Sequence, residues 1–214
     1  MADRPPVDVL DVDEARLAAA RPHRAAVILG RVLDPPWVVA FLLIVVTLTS
    51  TRDAGTAAWV LAVSLGGVVA VPYLLLWLAM RHGHASDRHV VRRRERSALY
   101  IGTLVSVASA LIGLYAGGAP RPVLATLAGM CVGLLLVAAA NTITKVSFHV
   151  AVAAGAAVIL LTTTPVLGVI LTALLPAVMW ARVSEGRHSR LQVVAGAILG
   201  ALGAETYPLY LMMR

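Results

Sequence analysis

Seven apolar segments, parted by short polar loops, fill most of residues 37–212 in a chain of 214. A helix of ~20 apolar residues is long enough to cross the ~30 Å hydrocarbon core of a bilayer. Apolar runs this long and this many exceed what one soluble core can bury. Only 14% of the residues are charged, where a soluble domain carries about 25%. The expected fold is therefore all-α: a polytopic transmembrane helical bundle of six to seven spans. The apolar residues are mostly Ala, Val and Leu, with only two Phe, and small residues let membrane helices pack closely.

Residues 1–35 read as a polar N-terminal tail, with a candidate amphipathic helix from Val12 to Ala26 and a break at Pro35-Pro36. The mixed charge of the first 25 residues does not resemble a secretory signal. The membrane domain is expected over 36–214. Span 1 runs from about Trp37 to Ser50, which is short unless it begins before the prolines. Span 2 covers Ala57 to Met80, with a kink at Pro72. Spans 3 and 4 cover Ala98–Ala116 and Pro122–Asn141. Span 5 is Phe148–Thr163, span 6 runs from Pro165 to Trp180, and span 7 from Leu191 to Met212. Gly155, Gly196, Gly200 and Gly203 offer close helix contacts, and the Gly-rich span 7 is a candidate surface for a homo-oligomer. Cys131 is the single cysteine and lies in an apolar segment, so no intrachain disulfide forms.

Seven spans put the N-terminus and the loops after spans 2, 4 and 6 on one side. That side carries 15 of the 18 Lys and Arg residues, and the other side has only Arg52, Arg121 and Arg214. The excess of positive charge marks the cytoplasmic face, here of a plasma (inner) membrane. It also accounts for the formal charge of +7 without a nucleic-acid partner.

Three polar clusters lie in those same loops: Arg92-Arg93-Arg94-Glu95-Arg96, Lys145-Val146-Ser147-Phe148-His149, and Arg182-Val183-Ser184-Glu185-Gly186-Arg187-His188. An arginine run at a span end also serves as an orientation signal. Ser189 is a good N-cap for span 7, and a helix N-terminus suits an anion. Gln192, one turn on, is within reach of the His188 imidazole. Guanidinium groups match phosphate oxygens bidentately. Two histidines at two helix starts on one face can divide the chemistry, one attacking phosphorus and the other protonating the leaving alcohol.

The clusters resemble the three motifs of the type 2 phosphatidic acid phosphatase superfamily of membrane lipid phosphatases. Its third motif, Ser-Arg-x5-His-x3-Asp, is matched by Ala181-Arg182, five residues, His188, three residues and Gln192. Its second, Pro-Ser-Gly-His, is matched by Val146-Ser147-Phe148-His149. Its first, Lys-x6-Arg-Pro, aligns with His89, six residues and Arg96-Ser97, with Arg88 beside His89. The resemblance spans about residues 85 to 200. It implies that His188 is the nucleophile forming a phosphohistidine and that His149 is the acid for the leaving alcohol. Arg96, Ser147 and Arg182, with His89 in the place of the motif lysine, would bind the phosphate, and Lys145 would add charge. It implies no metal and no cofactor. Gln192 stands where the motif has the Asp that orients the nucleophile: its carbonyl can accept from the imidazole but brings no negative charge. The first two motifs are also separated here by two spans.

The expected function is hydrolysis of a phosphomonoester or diphosphate on a lipid or polyprenyl carrier held in the bilayer. The rival, favoured by Gln192 and by the absent Pro and Gly around Ser147, is a catalytically weak or inactive membrane protein of the same fold that binds a lipid phosphate. A third class is a small transporter or structural membrane partner. Against it, no charge lies between Ala98 and Ala140 except Arg121 in the turn between spans 3 and 4, where a translocation path would need one.

Overall fold

The computed structural model describes residues 23–82 and 93–213 and, within these, every side chain except those of 93–97. Among the described residues there is helix, turn and link, and no strand. The helices are α1 (Arg24–Val32), α2 (Pro35–Ser50), α3 (Ala54–Leu65), a π segment (Gly66–Ala70), α4 (Val71–Arg81), α5 (Arg93–Ala116), α6 (Arg121–Ala140), α7 (Phe148–Thr163), α8 (Pro165–Ser184), α9 (Arg190–Ala204) and α10 (Thr206–Met212). Six stretches are long and apolar enough to cross a membrane: Arg24–Ser50, Ala54–Arg81, Ala98–Ala116, Arg121–Ala140, Pro165–Ser184 and Arg190–Met212. The shorter α7 is a seventh apolar helix. The protein is a multi-pass, all-α membrane bundle. Large apolar side chains such as Trp37, Ile101, Ile112, Val166 and Leu191 are exposed on its outside, as a lipid solvent favours.

Two boundaries differ from expectation, and the kink expected at Pro72 takes a defined form. Span 1 starts before the prolines, because Pro35 and Pro36 occupy the first turn of α2, where a missing N–H costs nothing. Residues 24–34 therefore belong to the bundle and not to the tail; most of the expected Val12–Ala26 helix lies outside the described residues. Span 6 does not stop at Trp180: α8 continues to Ser184, so Arg182 sits in a helix. In span 2 the distortion falls just before Pro72. The proline ring cannot donate to the carbonyl of Val68 and crowds it, and the chain widens there into a π turn, with Val71 N–H bonding Gly66 O. Ser106 of α5 donates to the Gly67 carbonyl at 2.6 Å.

At the centre stands α7. Its 16 residues give a length of only about 24 Å. It is buried on nearly every side, with Val150, Ala153, Ala154, Ala157 and Leu160 all shielded, as befits a helix apolar all round. Alanine keeps it thin, and glycines on α9 let the two backbones touch. A Cβ on Gly196 would lie 2.6 Å from Ser147 O, one on Gly200 would lie 2.6 Å from the Ala151 carbonyl carbon, and one on Gly203 would lie 2.5 Å from Gly133 Cα of α6. This small-residue stripe works by van der Waals contact, since lipid tails supply no hydrophobic drive between helices.

Gly200→Val should therefore force α7 and α9 apart, with a loss at or above the upper end of the ~1–3 kcal/mol typical of overpacking. Gly113 has open space where a Cβ would go, so Gly113→Ala should be neutral or stabilising by ~0.5–1 kcal/mol. Thermal unfolding of the two variants in one detergent checks the contrast.

Candidate functional site

The site is assembled at one end of the bundle from the starts of α2 and α7 and the turn between α8 and α9. That turn is a Schellman motif. Gly186 takes the left-handed φ of 66°, its N–H bonds Val183 O at 3.0 Å, and Arg187 N–H bonds Arg182 O at 3.3 Å. The chain folds back on itself, which brings Glu185 between two arginines. Arg182 Nη2 donates to Glu185 Oε1 at 2.7 Å, and Arg187 Nε donates to Oε2 at 2.9 Å. Arg182 is 2% exposed. Removing one member of such a buried pair costs roughly 3–5 kcal/mol. The seat for this pair is Gly30 of α1: a Cβ there would lie 2.8 Å from the Arg182 guanidinium carbon and 2.7 Å from Glu185 Oε1. His23, just before α1, also meets Trp180 of α8 edge-to-face, with ring centroids 5.8 Å apart.

After that turn, Ser189 caps α9 in a reciprocal capping box. Its hydroxyl accepts from Gln192 N–H at 3.3 Å, and the Gln192 oxygen accepts from Ser189 N–H at 3.0 Å. The Gln192 oxygen is thus engaged by the backbone, while the Gln192 side chain still interacts with His188, whose Nδ1 is buried with no hydrogen-bond partner. The His188 pKa is pushed down to about 3, first by burial and then by the nearby charge of Lys145. Gln192 opposes this, and His149 and Arg182 add to it. At neutral pH the ring is uncharged and keeps a lone pair on one nitrogen.

Across the site, His149 Nε2 lies 2.9 Å from Asp34 Oδ1, and Tyr73 O–H donates to Asp34 Oδ2 at 3.5 Å. In the sequence Asp34 stands only as the residue before the Pro35-Pro36 break. It is the N-cap residue of α2, yet its side chain makes no cap bond. The reason is the prolines that follow: Pro35 and Pro36 have no N–H, and Trp37 N–H bonds the Asp34 backbone oxygen. The carboxylate is left to face α7. Asn141 likewise stands in the sequence only as a span end. Its Oδ1 accepts from Val146 N–H at 3.2 Å and its Nδ2 donates to Val137 O at 2.8 Å, which braces the link that carries Lys145 into α7.

A cavity of about 560 Å³ opens between these elements. Its polar end is lined by Asp34, Tyr73, Lys145, His149, Arg182, Arg187 and His188. Its apolar length is lined by residues such as Leu42, Met130, Leu134, Val152 and Ile159. The ten residue steps from His149 to Ile159 on α7 correspond to about 15 Å of depth. A charged head over an apolar bore suits an amphiphile.

Of the expected site residues, His149, His188, Arg182 and Lys145 come together at this cavity. Ser147 does not line it: the residue is fully buried at the seam of α7 and α9, its N–H on Gln192 O at 3.2 Å and its hydroxyl unpartnered. Arg96 lies in the first turns of α5, its side chain not among those described, and His89 lies outside the described residues. Among the described residues no three His, Cys, Asp or Glu side chains group so as to hold a metal ion.

A buried neutral histidine has a pH signature. In the unfolded chain His188 binds a proton below its ordinary value of 6.5, and in the fold it does not until about 3. Its part of the stability is intact above pH 6.5 and falls progressively between 6.5 and 3. His188→Asn should flatten that stretch of the stability–pH curve relative to wild type, measured by unfolding in detergent at a series of pH values. No family model matches the chain, and neither does any curated protein or solved structure.

Proposed function

We propose that the protein is an integral membrane lipid phosphatase, hydrolysing a phosphomonoester or diphosphate on a lipid or polyprenyl carrier through a phosphohistidine. The observation that carries this is the cavity's combination of an apolar bore with a basic end where His149, His188, Arg182, Arg187 and Lys145 meet. Arg182 Nε and His188 Nδ1 are both buried and unsatisfied within the protein, at the polar end of a bore about 15 Å deep.

In the proposed reaction, neutral His188 attacks phosphorus and forms a P–N bond while the P–O bond to the lipid alcohol breaks. The alcohol oxygen takes a proton from the His149 imidazolium. Water then attacks the phosphohistidine, giving its proton back to His149, and the P–N bond breaks to release phosphate and neutral His188. Arg182, Lys145 and Arg187 balance the charge on the transferring group. The site faces the cytoplasm of a plasma (inner) membrane, a placement supported by the 15-to-3 distribution of Lys and Arg.

Binding of a lipid phosphate without turnover is the second function that a specific observation favours. The Gln192 oxygen bonds Ser189 N–H, and among the described residues no carboxylate accepts from His188.

Phosphate release from a panel of phosphatidate, phosphatidylglycerol phosphate and polyprenyl phosphates, in detergent with EDTA, decides between them. The proposal expects release by wild type and background release by His188→Ala. Folded wild type that releases none, while still retaining a lipid phosphate in an Arg182-dependent way, establishes the binder.

A further inference from the structure

The first residue of interest is one that none of the three clusters contains. From the Asp34–His149 contact we infer that Asp34 is the positioning carboxylate of the acid step: it holds His149 in orientation and charge for proton transfer to the leaving alcohol. The inference rests on the proposed hydrolase function and adds a residue to it.

Three observations carry it. The first is geometry: His149 Nε2 and Asp34 Oδ1 are 2.9 Å apart, with side chains only 15% and 13% exposed. The carboxylate fixes the ring, and its charge supports a proton on His149 against the cost of burying it. The second is local structure: the Asp34-Pro35-Pro36 sequence deprives the carboxylate of its ordinary helix-cap bond and turns it towards α7. The third is the asymmetry between the two histidines. Among the described residues His149 has a carboxylate partner and His188 has none, its Nδ1 being buried without a partner. An acid must carry a proton before the P–O bond breaks, and a nucleophile must not. The arrangement thus divides the pair: the imidazole against Asp34 is the proton donor, and the imidazole among Lys145, Arg182 and His149 is the lone-pair donor.

In the step itself, His149 bonded through Nε2 to Asp34 gives its Nδ1 proton to the departing alkoxide oxygen. The P–O bond breaks, the alcohol leaves neutral, and His149 stays neutral with Nε2–H donating to the carboxylate. Asp34 neither touches the substrate nor gains the proton.

An acid is needed only when the leaving group is poor, and this supplies the test. Two substrates of similar length are compared: dodecyl phosphate, whose alcohol must be protonated, and an alkyl-substituted nitrophenyl phosphate, whose phenolate leaves unaided. Asp34→Asn should lower turnover of dodecyl phosphate by about 10²-fold or more and that of the aryl phosphate far less. His149→Gln should show the same selectivity, and the double variant should be no worse than His149→Gln alone, because Asp34 acts through His149. Should Asp34→Asn fail to fold, Asp34→Ser keeps a good N-cap while removing the carboxylate. Equal loss on both substrates, no loss on either, or full additivity in the double variant would overturn the assignment. A wild-type chain that hydrolyses neither substrate overturns the hydrolase itself, a result distinct from loss confined to the variants.

Discussion

The backbone contact between α7 and α9 is the constraint on which the rest depends. Both helices start at the same end of the bundle, and Ser147 N–H bonds Gln192 O across the seam. Gly196 and Gly200 let the carbonyls of Ser147 and Ala151 sit against α9. Any side chain there would lift α9 away, and with it His188, which sits two residues before the helix. The separation of the two histidines is thus fixed by glycine and alanine, residues with no chemistry of their own. The same packing shields α7, which at 16 residues is shorter than the apolar helices long enough to cross a membrane, so it stands as the post around which they gather.

Charge inside such a bundle needs its own support. A buried guanidinium is costly unless paired and hydrogen-bonded. Arg182 is held by Glu185, which the Schellman turn folds back, and it is accommodated by the missing side chain of Gly30. Helix α1 packs over this pair through Gly30, behind the residues that line the cavity. One donor, Nε, stays unsatisfied. The site is consequently basic and pre-organised at its head, and apolar along its length. Those two properties belong to different elements: the head to helix starts and one turn, the length to the inward faces of the spans.

Much of this was legible from the sequence, for an identifiable reason. Hydropathy reports on burial in lipid, so the spans emerged nearly in register, and Phe148–Thr163 matched to the residue. The cap at Ser189 and the close-packing glycines of α9 are local signals that the structure bears out. Parity alone put the second and third clusters at one end, where the cavity joins them. What could not be read were contacts between residues far apart in sequence. Asp34 and His149 are separated by 115 positions, and no local pattern links them; the proline pair that frees Asp34 reads in isolation as a simple break. Glu185 was visible inside its cluster, but its bridging role depends on a turn closed by the left-handed Gly186. Ser147 shows the opposite failure: its motif position suggested a phosphate ligand, yet packing against Gly196 holds it in the seam.

The central claim is that a neutral, buried His188 takes the phosphoryl group. Its most direct test is trapping. Purified protein is mixed with a lipid phosphate labelled in its phosphoryl group, quenched within a turnover, and mapped by mass spectrometry. The account predicts an acid-labile, base-stable phosphoprotein with the label on His188. Phosphate released with no labelled intermediate, or a label carried by another residue, would contradict it.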